Sequence, residues 1–420
     1  MSRSRKLTRR RFVQGIAATA AAPALFHIVP RHCVAQSTEV PPSEKLGGAL
    51  IGAGGRGGGT FGELRKDMPK VLGKECELRA TCDVKYVGSS DDLKRYTDFR
   101  KLLERKDIDF IAIGTPPHWH ALISIAAMEA GKDVLCEKPM SRTIAEGRAV
   151  VDAAKRYGRI FQIGTFGRFG ASRDKNNITT HKLMRSGLFK DKCPAVVINS
   201  GGKKIREWAG RPYLPISDPP KSLDWDLYCG PSPLKPFVGE RHGGSHRKYW
   251  DYDGGGLSDM GQHHLDPLQW IWGKDDTSPV EIEAYAPAPH HECTGVWAWC
   301  EMKYADGMTL VIDSAEWGPR YDKQKSRGIS VSDLSPEDQE KFKLIPDPEP
   351  LLSFAEAVKT RKQAGGGPEP AHRASTLLHL CNIAFRCQRP LKYDPVKEIF
   401  IGDEQATRLV YQPLRAPFHV

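Results

Sequence analysis

The chain has 420 residues, of which 40% are hydrophobic and 27% charged, a composition typical of a globular protein with about two or three domains. The formal net charge of +11 does not indicate nucleic-acid binding, because residues 1–35 hold seven of the 62 cations and no acid. The rest carries 55 minus 51, or +4, without a basic stripe of interleaved aromatic residues. We therefore predict no nucleic-acid partner.

The N-terminus resembles an export signal. Basic residues precede an apolar stretch from Phe12 to Ile28 and a small-residue cleavage site at 33–35, and Thr8-Arg9-Arg10-Arg11-Phe12 resembles the twin-arginine motif. An amphipathic or disordered basic tail is the alternative. We predict a twin-arginine signal at 1–35, export to the periplasm and a linker at 36–46. No membrane association is expected afterwards, since no later stretch reaches the ~20 apolar residues of a span.

The next 120 residues alternate short apolar runs with helical patterns. The runs predicted as strands are Gly48–Ile51, Leu78–Cys82, Phe110–Ile113, Val134–Cys136 and Ile160–Ile163. A helix is predicted from His120 to Ala130, with Gly131 as its C-cap. This alternation predicts an α/β domain with a doubly wound parallel sheet at residues 47–166.

After Gly164 the chain has longer loops rich in Pro, Gly and Trp. Strand-like pieces interrupt them at Ala195–Ile198 and Met308–Ile312, and helices are predicted at Pro350–Lys362 and Ala371–Cys387. Alternating pieces with few crossover helices predict a second domain, at 167–420, with a mostly antiparallel sheet.

A glycine-rich loop follows the first predicted strand. The run Gly52-Ala53-Gly54-Gly55-Arg56-Gly57 fits G-x-G-x-x-G in the strand-to-helix context of a Rossmann dinucleotide site. Asp83, 29 residues after Gly54, ends the next strand, where it can accept hydrogen bonds from a ribose 2′-hydroxyl and repel a 2′-phosphate. The alternative is an ordinary surface turn residue. Gly52, Gly54, Gly55, Arg56, Gly57 and Asp83 are predicted to bind NAD rather than NADP.

Two further strand ends carry polar residues. Thr115 and Pro116 start the turn into the His120 helix, and Glu137-Lys138-Pro139 closes the strand at 134–136. Carboxyl ends of parallel strands face the ligand crevice of an open α/β sheet. We predict that Thr115, Pro116, His120, Glu137 and Lys138 border the nicotinamide side of the cofactor, with Lys138 a candidate for chemistry.

A third constellation follows Gly254-Gly255-Gly256. On a helix beginning near Ser258, the residues Asp259, His263 and Asp266 stand at i, i+4 and i+7 and share one face, so the carboxylate can orient a general base. A helix cap and a core histidine are the alternatives. His263 and His264 are not expected to bind a metal, because no H-E-x-x-H or paired C-x-x-C spacing is present.

Together, the glycine loop, Thr115-Pro116, Glu137-Lys138-Pro139 and Asp259-x-Gly261-x-His263-x-x-Asp266 resemble the Gfo/Idh/MocA family of NAD(P)-dependent oxidoreductases. The stretch Leu223–Pro231 is similar to the exported bacterial branch of the family. The resemblance implies a Rossmann domain joined to an α/β domain with a large open sheet, in dimers or tetramers.

The resemblance also implies roles for individual residues. Lys138 would lie between nicotinamide and a substrate hydroxyl, His263 would take the hydroxyl proton, and Asp259 would hold or assist His263. Arg168 would line the substrate pocket. His264 departs from the more apolar residue expected there, which leaves the substrate open.

These expectations lead to an NAD-dependent oxidoreductase acting on a sugar or polyol. Export separates the protein from the cytoplasmic NAD pool, so the cofactor is expected to be tightly bound and regenerated in place. A redox-neutral NAD-dependent glycosidase, which oxidises, eliminates and re-reduces, is one alternative. A catalytically silent sugar-binding or scaffold protein is another.

Overall fold

The computed structural model describes residues 45–86, 95–189, 195–199, 204–321 and 326–420. Six strands of the first half form one sheet in which every neighbouring pair is parallel, in the order β3-β2-β1-β4-β5-β6. Their bounds are β1 Leu46–Ile51, β2 Cys76–Cys82, β3 Arg95–Tyr96, β4 Phe110–Ile113, β5 Asp133–Cys136 and β6 Phe161–Ile163. This order is that of a Rossmann sheet, whose ligand crevice lies where the order reverses between β1 and β4.

The strands β4 and β5 are buried along their whole length, as expected of a parallel sheet covered on both faces. The helices of this half are α1 Gly55–Leu72, α2 Phe99–Leu103, α3 His120–Glu129 and α4 Ile144–Tyr157. Helix α1 runs through Pro69 and ends at Gly73, which adopts a left-handed conformation. The length of this helix, 18 residues, explains the wide interval between the glycine loop and Asp83.

The second half forms a mixed sheet in the order β12-β11-β8-β9-β10-β7. Its strands are β7 Ala195–Asn199, β8 Glu281–Tyr285, β9 Trp299–Lys303, β10 Thr309–Asp313, β11 Leu391–Asp394 and β12 Ile399–Phe400. Among the described strands of this sheet, only the pair β7–β10 is parallel. The predicted α/β fold, with a Rossmann sheet followed by a mostly antiparallel sheet, is confirmed.

Helices connect the two sheets through a shared core. Those of the second half are α5 Gly167–Ala171, α6 Lys175–Arg185, α7 Trp225–Cys229, α8 Gln262–Ile271, α9 Pro336–Lys343, α10 Phe354–Thr360, α11 Pro368–Cys387 and α12 Glu404–Arg408. Nearly all of α11 is buried, and it packs against α4 and α8. Arg148 of α4 pairs with Glu369 of α11 at 2.7 Å and with Glu398 at 2.8 Å. Because α11 contacts both α4 and α8, these contacts hold the first sheet in a fixed position relative to the residues just before α8.

The predicted twin-arginine signal at 1–35 and nearly all of the predicted linker at 36–46 lie outside the described residues. Within the described ranges, no helix combines the length and apolar character that a bilayer crossing requires.

Candidate active site

A cavity of about 370 Å³ lies at the carboxyl ends of β1, β2, β4 and β5, a volume in the range of small-molecule sites. Its opposite wall comes from the second half, at residues 227–228 and between 242 and 259. The predicted site residues that line it are Gly52, Gly54, Gly55, Arg56, Asp83, Thr115, Pro116, Glu137, Lys138 and Asp259. The structure therefore brings most of the predicted cofactor residues to one cavity.

Two glycines of the loop lie too close to neighbouring backbone to carry a side chain, and two others face open space. Gly52 has φ +83°, and a Cβ on it would lie 2.5 Å from the Thr115 nitrogen. A Cβ on Gly57 would lie 2.2 Å from the Gly52 carbonyl oxygen, so only glycine lets α1 pack this close to β1. Gly54 and Gly55 instead face open space, which leaves the N–H groups at the start of α1 accessible to an anion.

The Asp83 carboxylate is fixed against this loop. Its Oδ2 accepts a hydrogen bond from the Ala53 N–H at 3.0 Å, and its Oδ1 accepts one from the Lys85 N–H at 3.0 Å. Each carboxylate oxygen can accept a second bond, which leaves capacity for ribose hydroxyls.

Glu137 is buried at the floor of the cavity with half of its carboxylate unused. Its Oε1 accepts hydrogen bonds from the Arg56 Nε at 2.8 Å and from the Thr60 hydroxyl. Within the described part of the chain, Oε2 has no hydrogen-bond partner, and neither has the buried hydroxyl of Thr115. Buried polar groups are rarely left unpaired, so both atoms indicate a polar ligand.

His120, which was predicted to border the cofactor, does not line the cavity. The side chain is 1% exposed, and its ring nitrogens lie 2.6 Å from the Pro139 carbonyl oxygen and 2.7 Å from that of Thr115. The imidazole thus connects the loops after β4 and β5. It positions Thr115 and Lys138 rather than contacting a ligand.

Lys138 joins the first half of the chain to the second. Its Nζ donates hydrogen bonds to the Asp259 carbonyl oxygen and, at 2.8 Å, to the Asp259 Oδ1. The Nε of Arg247 lies 2.9 Å from the same Oδ1. Burial opposes ionisation of Asp259, but the charges of Lys138 and Arg247 outweigh it, and the pKa of this carboxyl lies below its usual value. The Asp259 carboxylate therefore lies between two cationic side chains.

The expected hydrogen bond between Asp259 and His263 is not formed in the described part of the structure. Residues Leu257–Gly261 form a π-helical turn ahead of α8, so the i, i+4 register of a regular helix is not kept. Asp266 has yet another surrounding, since its Oδ2 accepts a hydrogen bond from the Thr165 hydroxyl at 2.7 Å. The three residues that were predicted to share one face therefore have separate surroundings.

His263 is half-buried and lies beside the cavity lining rather than in it. Its pKa is lowered by burial and then by the charge of Lys138, so the imidazole is neutral at neutral pH and can accept a proton. His264 is also half-buried and does not line the cavity. Among the described residues, no cluster of three or more His, Cys, Asp or Glu side chains is arranged to hold a metal.

Arg168, which was predicted to line the substrate pocket, is not part of the cavity lining in this structure. The side chain is 0% exposed, and its Nη2 lies 2.9 Å from the Asp266 Oδ1. Its Nη1 donates to the Asp275 Oδ2 at 2.7 Å. A guanidinium held by two carboxylates this deep in the protein cannot contact a ligand.

Comparisons with known proteins place the chain in a family. The model of the oxidoreductase family NAD-binding Rossmann fold matches residues 49–165, and the model of its C-terminal alpha/beta domain matches residues 175–420. The chain belongs to the Gfo/Idh/MocA family of oxidoreductases.

Individual relatives of this Gfo/Idh/MocA protein match over shorter regions. Levoglucosan dehydrogenase of Pseudarthrobacter phenanthrenivorans is 31% identical over 121 residues, 29% of each chain. A glycosyl hydrolase family 109 protein of Shewanella pealeana is 29% identical over 165 residues, 36% of this chain and 34% of its own. The chain thus spans about a third of the length of these relatives.

A solved structure has the same fold over nearly its whole length. The WlbA dehydrogenase of Bordetella pertussis, in complex with NADH and UDP-GlcNAcA, aligns with 83% of this chain and 99% of its own. The TM-score is 0.52 and the sequence identity 15%.

The residues of this Gfo/Idh/MocA protein fit a nicotinamide dinucleotide. The open glycines and the start of α1 suit a pyrophosphate, and Asp83 suits a ribose. The unpaired Glu137 Oε2 and Thr115 hydroxyl lie beside Lys138, where the nicotinamide riboside would be held.

Sequence reasoning missed Asp253, which lines the same cavity and is 2% exposed. Its Oδ1 accepts a hydrogen bond from the Gly254 N–H at 2.7 Å, while its Oδ2 has no hydrogen-bond partner among the described residues and lies 3.7 Å from the His246 Nε2. Burial and the charge of Asp259 raise the pKa of Asp253 to about 7. Its place directly before the three glycines is the one sequence signal that could have indicated it.

Asp253→Asn is expected to stabilise this Gfo/Idh/MocA protein above neutral pH. The folded state binds a proton at Asp253 that the unfolded chain releases near its ordinary pKa of 3.8. This carboxyl therefore makes the folded state progressively less stable as pH rises from about 4 to about 7, by up to about 4 kcal/mol, and asparagine removes the penalty. Denaturant unfolding of the wild type and the variant at about pH 5 and about pH 8 measures this stability penalty. Equal free-energy differences between wild type and variant at both pH values would contradict the assignment.

Proposed function

We propose that the protein is an NAD-dependent oxidoreductase that transfers a hydride between a hydroxyl-bearing carbon of a sugar or polyol and tightly bound nicotinamide. The observation that supports it best is the buried Lys138–Asp259 pair, next to the unpaired oxygen of Glu137. The similarity to levoglucosan dehydrogenase favours a carbohydrate substrate. Bound nicotinamide supplies hydride transfer, and the chain binds, orients and deprotonates the alcohol.

Lys138 is assigned to the substrate hydroxyl. An ammonium can donate three hydrogen bonds, and Asp259 accepts two of those from Lys138, which leaves one for a ligand oxygen. Its positive charge favours the oxygen as negative charge develops there. Asp259 balances that charge in the buried site, so the pair is set before substrate arrives.

His263 is assigned to the hydroxyl proton. A neutral imidazole within the electrostatic reach of Lys138 can accept the proton as the alcohol is oxidised and return it in the reverse direction. His263→Asn is therefore expected to lower the rate about 100-fold or more.

The test is turnover by purified protein with NAD and a panel of sugars and polyols. Substrate-dependent formation of NADH, lost in His263→Asn, supports the proposal. The outcome that sinks it is a protein that binds NAD but neither reduces it nor reacts with any sugar or polyol of the panel.

A redox-neutral glycosidase is the second candidate, and the similarity to a glycosyl hydrolase family 109 protein favours it. The two candidates differ in their net products. Cleavage of aryl glycosides with no net NADH, together with loss of an isotopic label from the sugar C2 or C3 position, would identify the glycosidase. Oxidised sugar with stoichiometric NADH would identify the dehydrogenase.

Asp83 is proposed to select NAD over NADP, because a carboxylate at this place repels a 2′-phosphate. Asp83→Ser is expected to weaken NAD binding about tenfold and to improve NADP binding relative to NAD. Titration of the two dinucleotides measures this. Asp83→Asn is the second test variant, because it keeps an acceptor for the Ala53 N–H and removes only the charge, and it is also expected to improve NADP binding relative to NAD. Unchanged discrimination in both variants would contradict the proposal.

We also propose export to the periplasm by the twin-arginine pathway, on the basis of the motif at Arg9 and Arg10. In solution the protein is proposed to form a homo-oligomer, either a dimer or a tetramer. The double variant Arg9→Lys with Arg10→Lys is expected to remain in the cytoplasm, as cell fractionation would detect. Secretion unchanged by this variant would contradict the pathway, and sedimentation of a monomer would contradict the oligomer.

A further inference from the structure

A second cavity, of about 290 Å³, adjoins the first. Asp253 lines both cavities. Pro139 and Ser258 also line the second cavity, and they are the chain neighbours of Lys138 and Asp259. Residues of α11 and of the C-terminal segment complete its wall. The second cavity is thus separate from the cofactor residues but directly behind the groups assigned to chemistry.

Arginines give the second cavity its positive charge, and one of them, Arg408, pairs with Glu404 at 3.3 Å. Arg142 and Arg386 both line it, and within the described residues neither guanidinium forms an ion pair with a carboxylate. Arg142 donates to the Trp250 carbonyl oxygen, and the Arg386 guanidinium lies 5.3 Å from the centre of the Trp250 ring. Both cations are therefore placed by the same tryptophan.

The electrostatics of the pair are unfavourable without a ligand. Burial lowers the pKa of Arg142, and the charges of Glu146, Asp251 and Asp253 offset only part of that shift. Partial burial lowers the pKa of Arg386, and the charge of Arg142 lowers it further. The two guanidiniums therefore repel each other, and an anion between them would offset that repulsion.

The nearby carboxylates are engaged elsewhere. Asp251 lies 2.7 Å from the Lys235 Nζ and 3.3 Å from the Arg241 Nη1. Glu146 accepts a hydrogen bond from the Arg142 backbone N–H at 2.9 Å, and its charge acts on the Arg142 guanidinium without an ion pair between the two side chains. The pKa of Asp253 is about 7, so this carboxyl is only partly ionised at neutral pH. The second cavity therefore keeps a net positive charge.

We propose that the second cavity binds an oxyanion carried on a sugar-sized organic molecule, with Arg142 and Arg386 as its ligands. Guanidinium groups match the paired oxygens of carboxylate, sulfate and phosphate groups. A cavity of about 290 Å³ is much larger than a bare oxyanion needs. Ser141, Thr143 and Asn382 line the rest of the wall and offer hydrogen bonds to hydroxyl groups. This site goes beyond the proposed function and does not depend on it.

The test is calorimetric binding of a hexuronate, a hexose phosphate, the matched neutral hexose and inorganic sulfate to the full protein. We expect the hexuronate or the hexose phosphate to bind, and Arg386→Met to weaken that binding about tenfold or more. Arg386 is the more exposed of the two side chains, so this variant is expected to fold, whereas Arg142→Met removes a half-buried side chain and serves as the second variant.

Arg389→Met is the matched control. Arg389 lies three residues further along the chain, pairs with Asp403 at 2.8 Å and does not line the second cavity, so its removal changes the net charge equally. Binding of sulfate as tightly as the sugar acids would contradict the proposal that the ligand is an organic molecule. Absence of binding, or equal loss in Arg386→Met and Arg389→Met, would overturn the site. Because these are binding measurements, failure of NAD turnover would not affect them.

Discussion

Lys138→Met is expected to lower kcat/KM about 1000-fold while the protein still folds and still binds the dinucleotide. The substitution removes the charged donor that faces the reacting oxygen, and loss of one such donor costs about 10²–10³ in rate. Asp259 keeps its ion pair with Arg247 at 2.9 Å, so the variant does not leave a buried carboxylate alone. Most cofactor contacts are assigned to the glycine loop, Asp83 and Glu137, which the change does not touch.

Steady-state turnover and dinucleotide titration on the same preparation measure the two effects separately. Lys248→Met is the matched control, because Lys248 lies in the neighbouring segment, has its nearest carboxylate at 4.0 Å and does not line the cavity. Retention of more than a tenth of the activity in Lys138→Met would contradict the assignment. Loss of dinucleotide binding would instead assign Lys138 to the cofactor.

The fold could be predicted because its signals are local. Apolar runs such as Phe110–Ile113 form fully buried strands at the expected positions, and the glycine loop stands at the turn from β1 into α1. Most cofactor residues could be predicted as well, since strand ends of a parallel sheet meet at one edge. The helix predicted at Pro350–Lys362 begins only at Phe354, because Ser353 caps it with Glu356.

The remaining site could not be predicted because it depends on contacts between distant segments. The π-helical turn at Leu257–Gly261 changes the direction of Asp259, and no residue type marks such a turn. Asp259 therefore pairs with Lys138, 121 residues away, instead of His263. For Asp253 the three following glycines are the only sequence signal, and its burial depends on contacts with distant segments.

Arg168→Met is expected to destabilise the protein by about 3–5 kcal/mol, because it leaves the Asp266 carboxylate buried without its cation. Arg168 and Asp266 are both 0% exposed, and the pair connects α5 to α8, the helix that follows Asp259. A residue of the substrate pocket would instead raise KM with little change in the free energy of unfolding.

Denaturant unfolding and KM of the same variant separate the structural role from the substrate role. Arg185→Met is the matched control, because its ion pair with Asp276 is exposed and is expected to contribute no more than about 1 kcal/mol. The double variant Arg168→Met with Asp266→Leu is expected to recover part of the stability, since replacing both charges by apolar side chains removes the unpaired carboxylate. A fully stable Arg168→Met protein with a raised KM would return Arg168 to the substrate pocket.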